Sequence, residues 1–353
     1  MRLVPSDARL SFNAPHAVDR SRGDVRLERF PPAVTTLLMG QIGPLANLRS
    51  STGCSVQLRT DSPWLILHLD RLRHHQPIPQ GVALEVKQND GTWFGVDSAD
   101  LRERDGLVDI RLPTGLRAGE LRDCVLWMPL LSTAVVVGVS VVDDALVEVA
   151  AVETPAWLAI GDSLTQGFST QSPLSTWVHR LMRRWNLPAW NLGVGGLTIE
   201  PEAFRWALTK QRWPLVTIAL GSNNGWRDST VEVAAERAAH LAELALANAD
   251  QVVWCLPPWK PMEDGKGPSE FMGIPLDRAT GARIARVREL VRTQLTHYPA
   301  IQVLDDLLPH DHRWYPDGLH PFAWGFAQFA ESLASRVNLD QCTRTAPPFQ
   351  LEP

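Results

Sequence analysis

Five short apolar runs punctuate the second half of the chain, at 157–160, 189–192, 215–220, 251–256 and 301–304. Each is short enough for a strand, and too continuously apolar for a strand with one wet face. Between them lie segments of helical pattern near 173–186, 201–211, 230–248, 276–297 and 321–337. The third is alanine-rich, a composition of strong helix formers. Strand alternating with helix leaves few solutions. The sheet must be parallel and covered by helices, and its working residues should gather where the strands end.

Residues 50–150 follow another pattern. Val82, Leu84 and Val86 alternate with Ala83, Glu85 and Lys87, which predicts a half-buried strand. Asn89-Asp90-Gly91 and then Trp93-Phe94 predict a hairpin. Further short runs at 56–58, 64–69, 108–112, 124–128, 135–142 and 146–149, without a clear helix, predict an antiparallel sandwich. The expected division is a β-sandwich over 1–150, an α/β domain over 151–340 and a tail over 341–353.

Hydrophobic residues at 44% and charged residues at 21% exclude a mainly disordered chain. A net charge of −5 gives no basic footprint, so neither nucleic acid nor an anionic membrane is the expected partner. No apolar stretch is long enough to span a bilayer. The N-terminus has no apolar core of a signal peptide, so the expected location is cytoplasmic. Cysteines at 54, 124, 255 and 342 are scattered, which predicts neither a zinc cluster nor a disulfide framework. Lysine stands only at 87, 210, 260 and 266; every other basic residue except histidine is arginine.

Polar residues after the strands carry the chemistry. Gly161-Asp162-Ser163-Leu164-Thr165-Gln166-Gly167 follows the first run. A serine at that junction either caps a helix or projects a nucleophilic hydroxyl. Asn191-Leu192-Gly193-Val194-Gly195-Gly196 ends the second run, where glycines let backbone N–H groups approach a substrate oxygen. Gly221-Ser222-Asn223-Asn224 follows the third, and an asparagine amide is a neutral, directional oxyanion donor. Asp317-Gly318-Leu319-His320-Pro321 follows the fifth, with a carboxylate three residues from an imidazole it could orient. Together these supply a nucleophile, oxyanion donors, a base and its orienter, the set needed for acyl transfer.

These blocks resemble those of the SGNH hydrolases, or GDSL esterases. GDSLTQG at 161–167, NLGVGG at 191–196, GSNN at 221–224 and DGLHP at 317–321 stand in the family's order, over roughly 155–337. The resemblance implies a flavodoxin-like, five-stranded parallel sheet flanked by helices. It implies Ser163 as nucleophile, His320 as base and Asp317 as its orienter. It implies an oxyanion hole from the Ser163 and Gly196 N–H groups and the Asn223 side chain. It calls for no cofactor and no metal. The family usually has aspartate where Asn224 stands, so a supporting hydrogen bond is expected to be rearranged. The first half resembles, more weakly, the jelly-roll-like sandwich of some bacterial two-domain carbohydrate esterases, through WMPLLSTAVVVGVSV at 127–141.

The expected activity is therefore a serine esterase acting on short acyl groups, acetyl first, carried by a small molecule or oligosaccharide. The alternatives are a lysophospholipase or thioesterase, an acyltransferase, or an inactive carbohydrate-binding protein. Of 14 tryptophans, Trp226, Trp259 and Trp314 lie where they could contact substrate, against a plain packing role. Packing is the expected role of Trp64, Trp157 and Trp177. His310 and His312 flank Asp311, and solvated loop residues or substrate contacts are more expected there than metal ligands. The Pro- and Gly-rich stretch 257–275 is either a lid or substrate wall, or a solvated connection.

Overall fold

In a computed structural model, residues 1–339 are described apart from 17, 22, 39–45, 76, 77, 79, 99, 100, 152 and 272. The expected tail at 341–353 lies outside the described residues. The chain packs into two compact units. One holds residues 1–154 and 166–183, the other 155–165 and the chain from 184 onward. The division therefore crosses the chain three times, where the sequence pattern suggests one crossing near 150.

The first unit begins with β1 (Arg2–Leu3), β2 (Ser11–Asn13) and β3 (Val25–Arg26), then short helices α1 (Pro32–Leu37) and α2 (Ala46–Arg49). The longer strands are β4 (Ser55–Thr60), β5 (Trp64–His74), β6 (Ala83–Lys87), β7 (Trp93–Asp97), β8 (Val108–Pro113), β9 (Arg122–Trp127) and β10 (Ser132–Ser140). A two-residue β11 (Val147–Glu148) ends the set. One sheet runs β1-β10-β5-β8, with β3 also on β10; the other runs β11-β4-β9-β6-β7, with β2 on β4. All these pairings are antiparallel. Leu65, Leu67 and Leu69 of one sheet and Val56, Leu58, Leu84 and Val86 of the other share one apolar core. Their spacing of two is the strand period that turns alternate side chains inward.

The strand over 82–86 is not half-buried as its alternation predicts. Ala83 is fully buried and Glu85 is 4% exposed. The cause is the helix Trp177–Trp185, whose first seven residues belong to the same unit and which lays His179 and Arg183 over Glu85. A charge in an alternating strand looks solvent-facing in sequence until a tertiary partner covers it.

The second unit is built on β12 (Trp157–Gly161), β13 (Ala189–Gly193), β14 (Trp213–Ala219), β15 (Ala249–Cys255) and, after a small hairpin of β16 (Glu270–Phe271) and β17 (Ile274–Pro275), β18 (Ile301–Leu304). The sheet order β13-β12-β14-β15-β18 is parallel throughout. This is the flavodoxin-like order, whose switch point falls between β12 and β14. Its helices are α3 (Ser163–Gln166), α4 (Trp177–Trp185), α5 (Arg205–Leu208), α6 (Asp228–Glu232), α7 (Ala234–Asn248), α8 (Thr280–Leu295) and α9 (Ala323–Ala334), of which α3 and α4 straddle the boundary between the units. Helix α7 buries Ala238, Leu241, Ala242 and Ala245, and α8 buries Ile284, Val287, Val291 and Leu295. Both sets follow the three-and-four spacing of one helical face. The helix expected over 201–211 is instead a 3-10 turn, Pro201–Ala203, and the single turn α5.

Candidate functional site

Ser163 opens α3 directly after β12. A β-carbon at Gly161 would overlap the Thr165 side chain, so only glycine lets the chain turn this tightly. Asp162 accepts the Leu164 N–H at 3.0 Å and is buried, whereas Ser163 between them is partly open. Asn191, inside β13, donates to the Thr165 carbonyl at 2.7 Å and accepts the Gly193 N–H at 2.9 Å. It thereby ties the serine turn to the neighbouring strand.

The DGLHP segment meets the serine from the far end of the chain. His320 Nε2 lies 2.8 Å from Ser163 Oγ, and His320 Nδ1 lies 2.8 Å from Asp317 Oδ2. The second Asp317 oxygen accepts the N–H groups of Leu319 at 2.8 Å and His320 at 2.6 Å. Burial by itself would raise the Asp317 carboxyl; the hydrogen bond and charge of His320, with those backbone donors, outweigh it and bring it to about 2. Gly318 adopts φ of +76°, and a β-carbon there would strike Pro268. An ionised carboxylate, an oriented imidazole and a hydroxyl in this order can generate an alkoxide-like nucleophile.

Gly196 turns the chain after β13 with φ of +81°. Asn223 spends one amide N–H on the carbonyl of Leu197, the next residue, at 3.1 Å. An asparagine amide has a second N–H to offer. Asn224 is fully buried; its oxygen accepts the Ile199 N–H and its amide donates to the Thr230 carbonyl, both at 2.9 Å. An ionised aspartate here could make only the first of these bonds.

The three tryptophans do not act alike. Trp226 packs with Phe271 and Leu276 on the buried trio Met262, Ile284 and Leu319. Phe271, on β16, lies 5.4 Å from the His320 ring. The 257–275 stretch thus brings Phe271 beside the histidine, while 264–266, 269, 270, 273 and 275 are exposed to solvent. Trp259 is buried, with His310, His312 and Tyr315 around its ring. The Trp314 ring lies tilted against that of Trp324, with ring centres 3.9 Å apart, and Trp324 is 46% exposed. Trp157 and Trp177 are fully buried as expected, but Trp64 is only partly so and carries the Arg111 guanidinium 4.7 Å above its ring.

His310 and His312 point apart, His310 to Asp306 at 3.0 Å and His312 towards Asp264 at 3.8 Å. Among the described residues no group of three or more His, Cys, Asp or Glu is placed to hold a metal ion. A second hydroxyl–imidazole–carboxylate set, Ser140, His68 and Asp109, occurs in the first unit. Its members sit inside paired strands, where the ladder engages the backbone donors an oxyanion would need.

Sequence reasoning missed Lys260, Asn191 and Phe271. Asn191 was legible only as part of a glycine-rich turn. Lys260 had one signal, being a lysine retained in an arginine-rich chain.

The GDSL-like lipase/acylhydrolase family model matches residues 159–327. No curated protein matches the chain. Among solved structures, a salicylyl-acyltransferase from a tetracycline biosynthetic pathway is similar over 94% of this chain and 96% of its own, at 21% identity and TM-score 0.73. A putative GDSL-like lipase from Bacteroides ovatus covers 94% and 95%, at 15% identity and TM-score 0.73. A family two carbohydrate esterase from Clostridium thermocellum, solved with cellohexaose, covers 81% and 92%, at 14% identity and TM-score 0.54.

Proposed function

Because residues 159–327 form a domain of the GDSL-like lipase/acylhydrolase family, we propose that the protein is a serine esterase that removes short acyl groups, acetyl first, from carbohydrate esters. The observation that carries this reading is the 2.8 Å contact of Ser163 Oγ with a histidine whose other nitrogen faces Asp317. Ser163 Oγ attacks the ester carbonyl carbon while His320 Nε2 takes its proton. The tetrahedral oxyanion is held by the Ser163 and Gly196 N–H groups and the Asn223 amide. The C–O bond to the alcohol breaks as His320 returns the proton to the leaving oxygen. Water then attacks the acyl-serine with His320 again as base, releasing the acid and restoring Ser163. None of these steps calls on a metal or cofactor.

Support for a sugar alcohol comes from the carbohydrate esterases among the structural neighbours. A second reading, acyl transfer to an acceptor other than water, is favoured by the likeness to the salicylyl-acyltransferase. It uses the same acyl-serine. The test is hydrolysis of p-nitrophenyl acetate, butyrate and octanoate by wild type and Ser163→Ala, followed by acetylated sugars. Rates that peak at acetate and vanish in the variant support the esterase. Equal slow rates in both proteins refute it. Acylated product that accumulates only with an added alcohol acceptor selects transfer over hydrolysis.

A further inference from the structure

Lys260 is the one buried lysine of the four in the chain, 4% exposed. Its ammonium donates to the Leu319 carbonyl at 2.5 Å and lies 5.5 Å from the centre of the Tyr315 ring. Leu319 is the residue before His320, and its own N–H is held by Asp317. The turn that presents the imidazole is therefore gripped at both faces of one residue. The lysine is itself fixed. Its backbone N–H donates to Glu263 at 2.9 Å, and Arg288 of α8 clamps Glu263 at 2.5 Å. Burying an ammonium carries a desolvation penalty, here set against the Leu319 carbonyl and the carboxylates around it.

We infer that Lys260 is a positioning residue for the reaction proposed above, its buried ammonium holding the Leu319 carbonyl so that His320 keeps its line to Ser163 and Asp317. The inference rests on that reading of the site. The charges that face Lys260 come from four directions: Asp162 after β12, Asp317 in the histidine turn, Glu263 in its own loop and Arg288 of α8. Burial lowers the ammonium to about 8, the three carboxylates opposing the drop and Arg288 adding to it. Below that pH the charge is present; above it the grip weakens and the carboxylates beside it lose their counter-charge. Activity should accordingly fall on the alkaline side.

The experiment is the rate of Ser163 phosphonylation by a fluorophosphonate, from about pH 7 to about pH 9.5, for full-length wild type, Lys260→Met and Lys260→Arg. The reagent reads the serine–histidine pair without any ester substrate. Melting curves accompany each protein. The expected result is a wild-type rate that falls severalfold across this range. Lys260→Met should be slower at neutral pH by roughly 10- to 100-fold, the scale of a misplaced catalytic group, with no alkaline fall. Lys260→Arg should recover part of the rate and keep it at high pH, because its charge persists. With p-nitrophenyl acetate the loss should lie in kcat, with KM little changed. A folded Lys260→Met that reacts like wild type, or a wild-type rate level across the range, overturns the inference. If the methionine variant does not fold, the wild-type profile alone decides. Wild type that is phosphonylated yet cleaves no ester refutes the substrate reading and leaves this test intact. Wild type that is never phosphonylated refutes the serine nucleophile, and this inference with it.

Discussion

At the scale of single residues, each block of the site divides its side chains between chemistry and support. Asn223 and Asn224 are adjacent and identical in type, but the first is partly open and the second is sealed between Ile199 and Thr230. Asn223→Ala should lower kcat by ~10², about 3 kcal/mol of transition-state stabilisation, with little change in melting temperature. Steady-state kinetics with p-nitrophenyl acetate checks this. Asn224→Asp should act on stability, losing about 1–3 kcal/mol in urea unfolding, because its second oxygen would face the Thr230 carbonyl. An unchanged unfolding midpoint would show that the Thr230 bond is dispensable. Asp317 makes a pH statement. Its carboxyl lies at 3.8 in the reference state and about 2 in the fold, so the unfolded chain binds the proton more tightly. Its stabilisation is complete above about pH 4 and is lost as pH falls through about 2. Acid unfolding of Asp317→Asn should lack that component. The blocks that hold these residues were legible in sequence as turns of glycine and short polar residues, and the roles expected of them came from the family resemblance. Lys260 was not, because a lysine's partner is decided by where the loop folds.

At the scale of elements, the strands were legible and their surroundings were not. The five parallel strands match their apolar runs closely, since burial on both faces leaves few polar positions in them, such as Asn191 and Thr217. The strand β6 misleads because Glu85 is buried beneath α4, with His179 at 3.1 Å, Arg183 at 2.5 Å and the Trp127 indole N–H at 2.7 Å. Burial would raise Glu85, but His179 and Arg183 pull it down to about 2 from 4.5. Glu85→Ala should cost about 3–5 kcal/mol, because the Arg183 guanidinium and the His179 ring stay behind without their carboxylate. Chemical denaturation at neutral pH measures it. The wild-type advantage should shrink as pH falls below about 4.5 and vanish near 2, the unfolded chain taking up the proton first. A loss that is the same at acidic and neutral pH would mean the carboxylate's packing, and not its charge, matters.

At the scale of the whole molecule, residues 166–183 belong with the sandwich although they follow the serine turn in sequence. A fragment beginning at 151 therefore keeps α4 but loses the strand whose Glu85 meets His179 and Arg183. We expect that fragment to be insoluble or to melt well below the full chain; a stable, fully active 151–353 would show that the interleaving is only apparent. The sequence by itself determined the strand–helix alternation, the sandwich pattern and the polar turns that follow the strands. It could do so because periodicity and turn chemistry are local, set by a residue and its near neighbours. Only the tertiary structure decided that Glu85 is buried, that Trp259 packs while Phe271 faces the histidine, and that Lys260 grips the Leu319 carbonyl. Each depends on which distant segment supplies the partner, and desolvation by that segment, not the local pattern, sets what a charge or ring does.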